Sequence, residues 1–348
     1  MRLGVHYDSF TERIGGVFNQ VPIPLGLAML GMPAARSIQV AQRTGVFAEL
    51  ATAPASAAEL AERLGLRAQG TALMLDTLVA SDVLELGSDE RYALPRRIRK
   101  WLAPDSKHYV GDFLSDTYHY WEWWEGLEDL VRDGRSIELH DRAPDDPYWD
   151  SYITGQFQLA RLSSAAVAKA VALPPGARSL LDVAGGHGEF SMALCRRHAG
   201  LSATVIDLPG SARVGKAIVG RAGMSQRVSY VVGDMFGADL GGPHDGGLAF
   251  NIVHHLSPGQ ARTLFARIAG ALRPGAPLCV LDVYDRPPGA PADTGSVLGL
   301  FFHLTSGADT YARKDVAAWL QASGFARVTG RSLPQLPGLA LVRAERAA

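Results

Sequence analysis

Five polar residues stand at the ends of apolar runs in the second half of the sequence: Asp182, Asp207, Asp234, His254 and Asp282. Gly185, Gly186 and Gly188 follow the first of them, in a stretch from Ser179 to Pro209 that reads SLLDVAGGHGEFSMALCRRHAGLSATVIDLP. Glycines let the backbone approach a ligand closely, and a carboxylate at the tip of the next strand can accept hydrogen bonds from both ribose hydroxyls. The run therefore predicts strand, glycine turn, helix and strand around an adenosine-bearing cofactor. A nicotinamide cofactor calls for a third glycine, and Gly186-His187-Gly188-Glu189-Phe190-Ser191 lacks it. His254 supplies a base: a phenol with a pKa of about 10 is a poor nucleophile at neutral pH, and an imidazole near about 6.5 can take its proton. No His, Cys and Asp set has metal-ligand spacing, so no metal is expected.

These residues need a scaffold that brings strand ends together. The runs Leu180–Val183, Ala203–Ile206, Val228–Val232, Leu248–Val253 and Leu278–Val283 are predicted strands, and helix-length segments follow the first four. That alternation predicts an α/β fold, a parallel sheet with helices on both faces. Ligands in such sheets bind beyond the carboxyl ends of the strands, so the five polar residues converge on one site. Ala326–Thr329 and Leu339–Arg343, with Pro334 and Pro337 between them, form an expected terminal hairpin.

The first third reads differently. Ser56-Ala57-Ala58-Glu59 is a capping box that starts a short helix stopped by Gly65. A second helix begins near Thr71, and Val83–Leu86 and Arg91–Leu94 flank a turn. Helix, turn, helix, hairpin is a winged-helix pattern. The second helix lacks base-reading side chains, and the basic cluster Arg96, Arg97, Arg99 and Lys100 falls after the wing. This domain is expected to contact protein rather than DNA. The apolar run Val21–Ala35 is interrupted by Pro22, Pro24 and Pro33 and is too short to span a bilayer. It is expected to be a buried segment at a subunit contact.

Charge is balanced, with 34 Lys and Arg against 35 Asp and Glu, which gives no global attraction to nucleic acid or anionic membrane. The two cysteines, Cys195 and Cys279, fall in a predicted helix and strand and read as buried free thiols, in keeping with a reducing cytoplasm. An aromatic-rich stretch precedes the glycine turn, and Trp149, Tyr152 and Phe157 are its expected substrate contacts.

Three motifs in order resemble those of S-adenosylmethionine-dependent methyltransferases: Asp182-Val183-Ala184-Gly185-Gly186-His187-Gly188, Asp207-Leu208-Pro209 and Gly233-Asp234-Met235-Phe236. The segment Asn251-Ile252-Val253-His254-His255-Leu256-Ser257 resembles the active-site segment of small-molecule O-methyltransferases from plants and bacterial natural-product pathways. The resemblance implies a Rossmann-like class I methyltransferase sheet preceded by a winged-helix-like dimerisation domain. It divides the chain into residues 1–105 for dimerisation, 106–170 as a helical connector to the substrate pocket, and 171–348 as the cofactor domain. It implies S-adenosylmethionine as cofactor, a small aromatic or polyketide-like substrate and a homodimer, with no nucleic acid or membrane partner. Cofactor contacts are then expected from Asp182, Gly185, Gly186, Gly188, Asp207, Leu208, Asp234, Met235, Phe236 and Asn251. By the same resemblance His254 is the general base and His255 a bystander. Asp282 stands where the family carries Glu to orient that base. Counting back from Gly324-Phe325 puts Thr310 at the second family acid, with Asp309 beside it as the expected replacement. Phe250 stands where plant members often carry Lys, and Ala184 is a small residue inside the glycine motif. Leu256, Phe301, Phe302 and Thr305 are further expected substrate contacts. A non-methylating reaction on the same scaffold, or a DNA-binding regulator, are the alternatives.

Overall fold

The computed structural model describes residues 9–348 apart from 19, 21, 138, 287, 288, 290, 291, 293, 308, 334, 335 and 337. The chain divides between His119 and Tyr120 into two units, so the connector expected over 106–170 falls across the division.

The N-terminal unit comprises α1 (Phe10–Val17), α2 (Ile23–Arg43), α3 (Val46–Thr52), α4 (Ala57–Leu64), α5 (Ala68–Ala80), the hairpin β1 (Glu85–Leu86) and β2 (Tyr92–Ala93), α6 (Arg96–Leu102) and α7 (Gly111–Asp116). The capping box forms: the Ser56 hydroxyl accepts from the Glu59 N–H, and the Glu59 carboxylate accepts from the Ser56 N–H at 2.8 Å. Gly65, at φ 66°, ends the helix in the left-handed region that a side chain disfavours. Phe47, Leu60, Leu75 and Leu78 fill the core of this unit, each contributing about 1.5–3 kcal/mol by leaving water. The segment expected to be buried over 21–35 is instead the exposed first half of α2 (Val21 lies outside the described residues). Leu25, Met29, Leu30 and Met32 all face solvent on the single chain.

The second unit starts with α8 (Tyr120–Glu125), α9 (Leu127–Asp133) and α10 (Tyr148–Ala170). Then come β3 (Ser179–Val183), α11 (Glu189–Arg197), β4 (Ser202–Asp207), α12 (Pro209–Arg221), β5 (Val228–Val232), β6 (Gly246–Phe250), α13 (Pro258–Ala271) and β7 (Pro277–Val283), and the helix-length segment expected between β5 and β6 forms turns instead of a helix. The chain closes with α14 (Thr294–Ser306), α15 (Arg313–Ala322), β8 (Phe325–Ser332) and β9 (Leu339–Arg346). The sheet runs β5-β4-β3-β6-β7-β9-β8, parallel from β5 to β7 and antiparallel over the last two strands. Those two strands form the expected terminal pair, although Pro334 and Pro337 lie outside the described residues. Cys195 on α11 and Cys279 on β7 are buried free thiols. Every residue of β6 and β7 is buried, as strands covered on both faces must be.

One expected element differs where it matters most. The strand over Leu248–Val253 stops at Phe250, because Asn251 turns into the left-handed region at φ 52°. Val253–His255 then form a 3₁₀ turn, so His254 sits on that turn and not at a strand end.

Candidate active site

The connections run outward in opposite directions from β3 and β6, which leaves a crevice beyond their carboxyl ends. The glycine turn fills its floor. Ala184, Gly186 and Gly188 all have positive φ, at 55°, 49° and 70°. Ala184 is thus a strained residue where glycine would be relaxed. A Cβ on Gly185 would lie 2.6 Å from the Asp182 carboxyl, so only glycine fits there. The Tyr230 hydroxyl, reaching from β5, donates to the Gly186 carbonyl at 2.9 Å and holds the turn.

Two carboxylates frame the turn. Asp207 accepts from the Gly186 N–H at 2.6 Å through Oδ2 and from the Leu208 N–H at 2.7 Å through Oδ1. Burial pushes its carboxyl up to about 6, against those two bonds and one from Ser211. Asp182 accepts from the Ser191 hydroxyl at 2.6 Å. Burial pushes it up to about 7; the Ser191 bond opposes the rise and the Asp207 charge adds to it.

A cavity of about 350 Å³ opens over these groups. Asp182, Gly185, Gly186, Asp207, Leu208, Asp234, Met235, Phe236 and Asn251 line it, as do Trp149, Tyr152 and Leu256 among the expected substrate contacts. No Lys or Arg occurs among the described lining residues, and three are Asp. The pocket suits a cation flanked by an uncharged aromatic body.

His254 stands one ring behind the wall. Its ring is 3% exposed, its Nδ1–H donates to Asp282 Oδ1 at 2.6 Å, and Phe302 stacks on it at 3.8 Å. Asp282 is 1% exposed and also accepts from the N–H groups of Val253 at 2.9 Å and Val283 at 2.8 Å. A carboxylate so held fixes the tautomer with Nε2 as the free acceptor, the form a general base requires.

Other expected residues lie outside the cavity wall. Gly188 caps the start of α11, and Phe157 packs at the core edge near His187. Phe301 joins an aromatic cluster with Tyr120, Trp123 and Trp124. Thr305 is buried, its hydroxyl donating to the Phe301 carbonyl. Asp309 does not turn toward His254: its side chain is 70% exposed and faces His303 at 3.5 Å. Thr310 bonds the Asp285 carboxylate, so the described structure gives His254 one orienting acid, Asp282. His140, Gln156 and Ser211 are among the cavity residues that went unmarked in the sequence, as did Tyr230 and Ser191 behind the turn, and His255, expected to be a bystander, lines the cavity.

With the geometry in place, comparison with known proteins decides the family. An O-methyltransferase domain model matches residues 124–326, more than half of the chain, and an O-methyltransferase dimerisation domain model matches residues 28–102. The chain belongs to the O-methyltransferase family. It is 27% identical to 3-hydroxy-5-methyl-1-naphthoate 3-O-methyltransferase of Streptomyces sahachiroi, over 86% of this chain and 88% of that one. It is 29% identical to the mitomycin biosynthesis 6-O-methyltransferase of Streptomyces lavendulae, over 86% and 87%. In fold it resembles human N-acetylserotonin methyltransferase in complex with S-adenosylmethionine, with a TM-score of 0.83 and 19% identity over 99% of this chain and 100% of that one. The enzyme is a class I, S-adenosylmethionine-dependent O-methyltransferase, and its cavity fits that cofactor. The glycine turn leaves room for it, the Asp207 carboxyl lines the cavity as an acceptor for a ribose hydroxyl, and a lining with acidic side chains and no Lys or Arg complements a sulfonium. No His, Cys, Asp and Glu group among the described residues could hold a metal, and no helix among them is long and apolar enough to cross a membrane.

Proposed function

We propose that this enzyme methylates a phenolic hydroxyl of a small aromatic natural product, acting as a cytoplasmic homodimer with His254 as general base. The observation that carries the reading is one cavity lined both by strand-tip carboxylates and by Trp149, Tyr152 and Leu256, with the His254–Asp282 pair behind its wall. The Streptomyces relatives support the natural-product class, since both are named for methylation at oxygen of such compounds. When bound, S-adenosylmethionine supplies an electrophilic methyl group: the carbon–sulfur bond breaks as the carbon–oxygen bond forms, and a neutral thioether leaves. The protein's share is positioning and proton removal. The aromatic walls orient the ring, and the hydroxyl proton passes to imidazole Nε2 while Asp282 stabilises the imidazolium.

The test is to incubate the purified enzyme with S-adenosylmethionine and a panel of hydroxylated naphthalenes and anthraquinones, and to analyse the products by mass spectrometry. One added CH2 together with S-adenosylhomocysteine is expected. Conversion of a panel member without mass gain would point to a repurposed scaffold and sink the reading.

A further inference from the structure

We propose that His255 and His140 form a pair of imidazoles that holds the acceptor substrate by hydrogen bonds and restricts it to uncharged hydroxylated aromatics. This rests on the methyl-transfer reading above and names its substrate class.

Four observations converge. First, both rings line the cavity, whereas His254 lies behind it, 4.1 Å from the His255 ring. Both rings therefore meet a ligand in the cavity directly. Second, the Nδ1 of His255 is buried without a hydrogen-bond partner. Buried polar nitrogens in folded proteins are nearly always satisfied, and a ligand hydroxyl can serve once the ring turns this enclosed nitrogen toward the cavity. Third, the pair is built. His140 meets His255 edge-on at 5.0 Å, stacks on Trp149 at 6.0 Å and packs against Tyr152 at 5.4 Å.

Fourth, charge is segregated across the crevice. Asp182, Asp207 and Asp234 follow β3, β4 and β5, on one side of the point where the sheet order reverses, and His255 follows β6 on the other. Burial keeps both imidazoles neutral. It brings His140 down to about 4, with His254 and Arg142 adding to the fall. It takes His255 well below its ordinary value, with His254 and His140 adding. Each neutral ring offers one donor and one acceptor, which matches a hydroxyl. A carboxylated substrate would meet no Lys or Arg among the described lining residues.

The experiment measures calorimetric binding to the S-adenosylhomocysteine-loaded enzyme and steady-state methylation. The probes are a dihydroxynaphthalene and a hydroxynaphthoate of the same ring size. The wild type is expected to prefer the uncharged diol at least about tenfold. His255→Phe and His140→Phe should each weaken diol binding by about 2- to 13-fold, the worth of one neutral hydrogen bond. The loss should fall on KM more than on kcat. His255→Asn, which keeps a donor and an acceptor, should recover most of it. Unchanged S-adenosylhomocysteine affinity in every variant checks the fold. Unaltered diol binding in both Phe variants, a preference for the naphthoate, or a loss confined to kcat would each overturn the proposal. The two readings fail separately. Diol binding that follows this pattern without a methylated product removes the reaction and leaves the pair. Methylation by both Phe variants at the wild-type KM removes the pair and leaves the reaction.

Discussion

The chemistry of single residues centres on Asp282. It accepts from the His254 ring and from backbone N–H groups on either side, so its short side chain is fixed by more bonds than the histidine alone would need. Replacing it with Asn removes the charge while preserving volume, and the amide would present an N–H or a weaker acceptor to Nδ1. Asp282→Asn is expected to lower kcat by about two to four orders of magnitude, with S-adenosylhomocysteine affinity unchanged. His254→Ala should give a loss of similar size, and the double variant should lose little more, because the two act as one unit. Full turnover by either single variant on a methylated substrate would remove the base assignment. At this scale the sequence marked His254 and Asp282 through the order of polar residues after apolar runs. It passed over His255 because neighbouring histidines are indistinguishable until the backbone direction is known. The positive φ of Asn251 and the 3₁₀ turn set that direction, turning one ring to the cavity and the other to Asp282. Asp309 fails for a related reason. Adjacency in sequence to Thr310 said nothing of where its carboxylate points, which is toward His303.

Among elements, the glycine turn is the one most dependent on its neighbours. Its glycines are legible in sequence because each answers a local backbone demand. Its support is not, since Tyr230 comes from β5 and Gly215 from the middle of α12. A Cβ on Gly215 would overlap both the Gly186 carbonyl oxygen and the Tyr230 hydroxyl. A Cβ on Gly210, at the start of the same helix, would overlap the Trp149 indole. The helix therefore packs on the turn and on α10 through bare backbone, a contact that helical periodicity cannot reveal. Gly215→Ala raises helix propensity by about 1 kcal/mol, yet the overpacking costs about 1–3 kcal/mol and falls on the turn itself. The variant is expected to lose at least about tenfold in cofactor affinity by calorimetry while keeping its far-ultraviolet circular dichroism. Affinity equal to wild type would show that the turn tolerates displacement of α12.

At the scale of the whole molecule, the alternation of apolar runs and helices made the cofactor unit readable, because each strand and helix buries its own stripe. The N-terminal unit was less so, since the exposed face of α2 has its meaning outside the chain. Leu25, Met29, Leu30 and Met32 face solvent there, within or beside the matched dimerisation domain. Leu30→Glu is expected to shift the enzyme toward monomer by light scattering at micromolar concentration, and an unchanged dimer mass would place the interface elsewhere. The charge of the molecule carries a second consequence. Asp182 titrates near about 7 when folded and near about 3.9 when unfolded. The folded state thus holds the extra proton across that window. Its stabilising effect is complete below about pH 4 and is lost as pH rises through about 7, by at most about 1.4 kcal/mol per pH unit. The buried His140 and His187, both lowered to about 4, act with the opposite sign below about 6.5, so the net curve of the wild type conceals the carboxyl. A difference measurement separates them. Asp182→Asn removes the titration and leaves the histidines alone. The stability of this variant relative to the wild type should therefore increase as pH rises from about 5 to about 8, in cofactor-free thermal or urea unfolding. A difference that stays constant over that range would mean that Asp182 is already ionised in the folded enzyme. The cavity would then hold its negative charge before any sulfonium arrives.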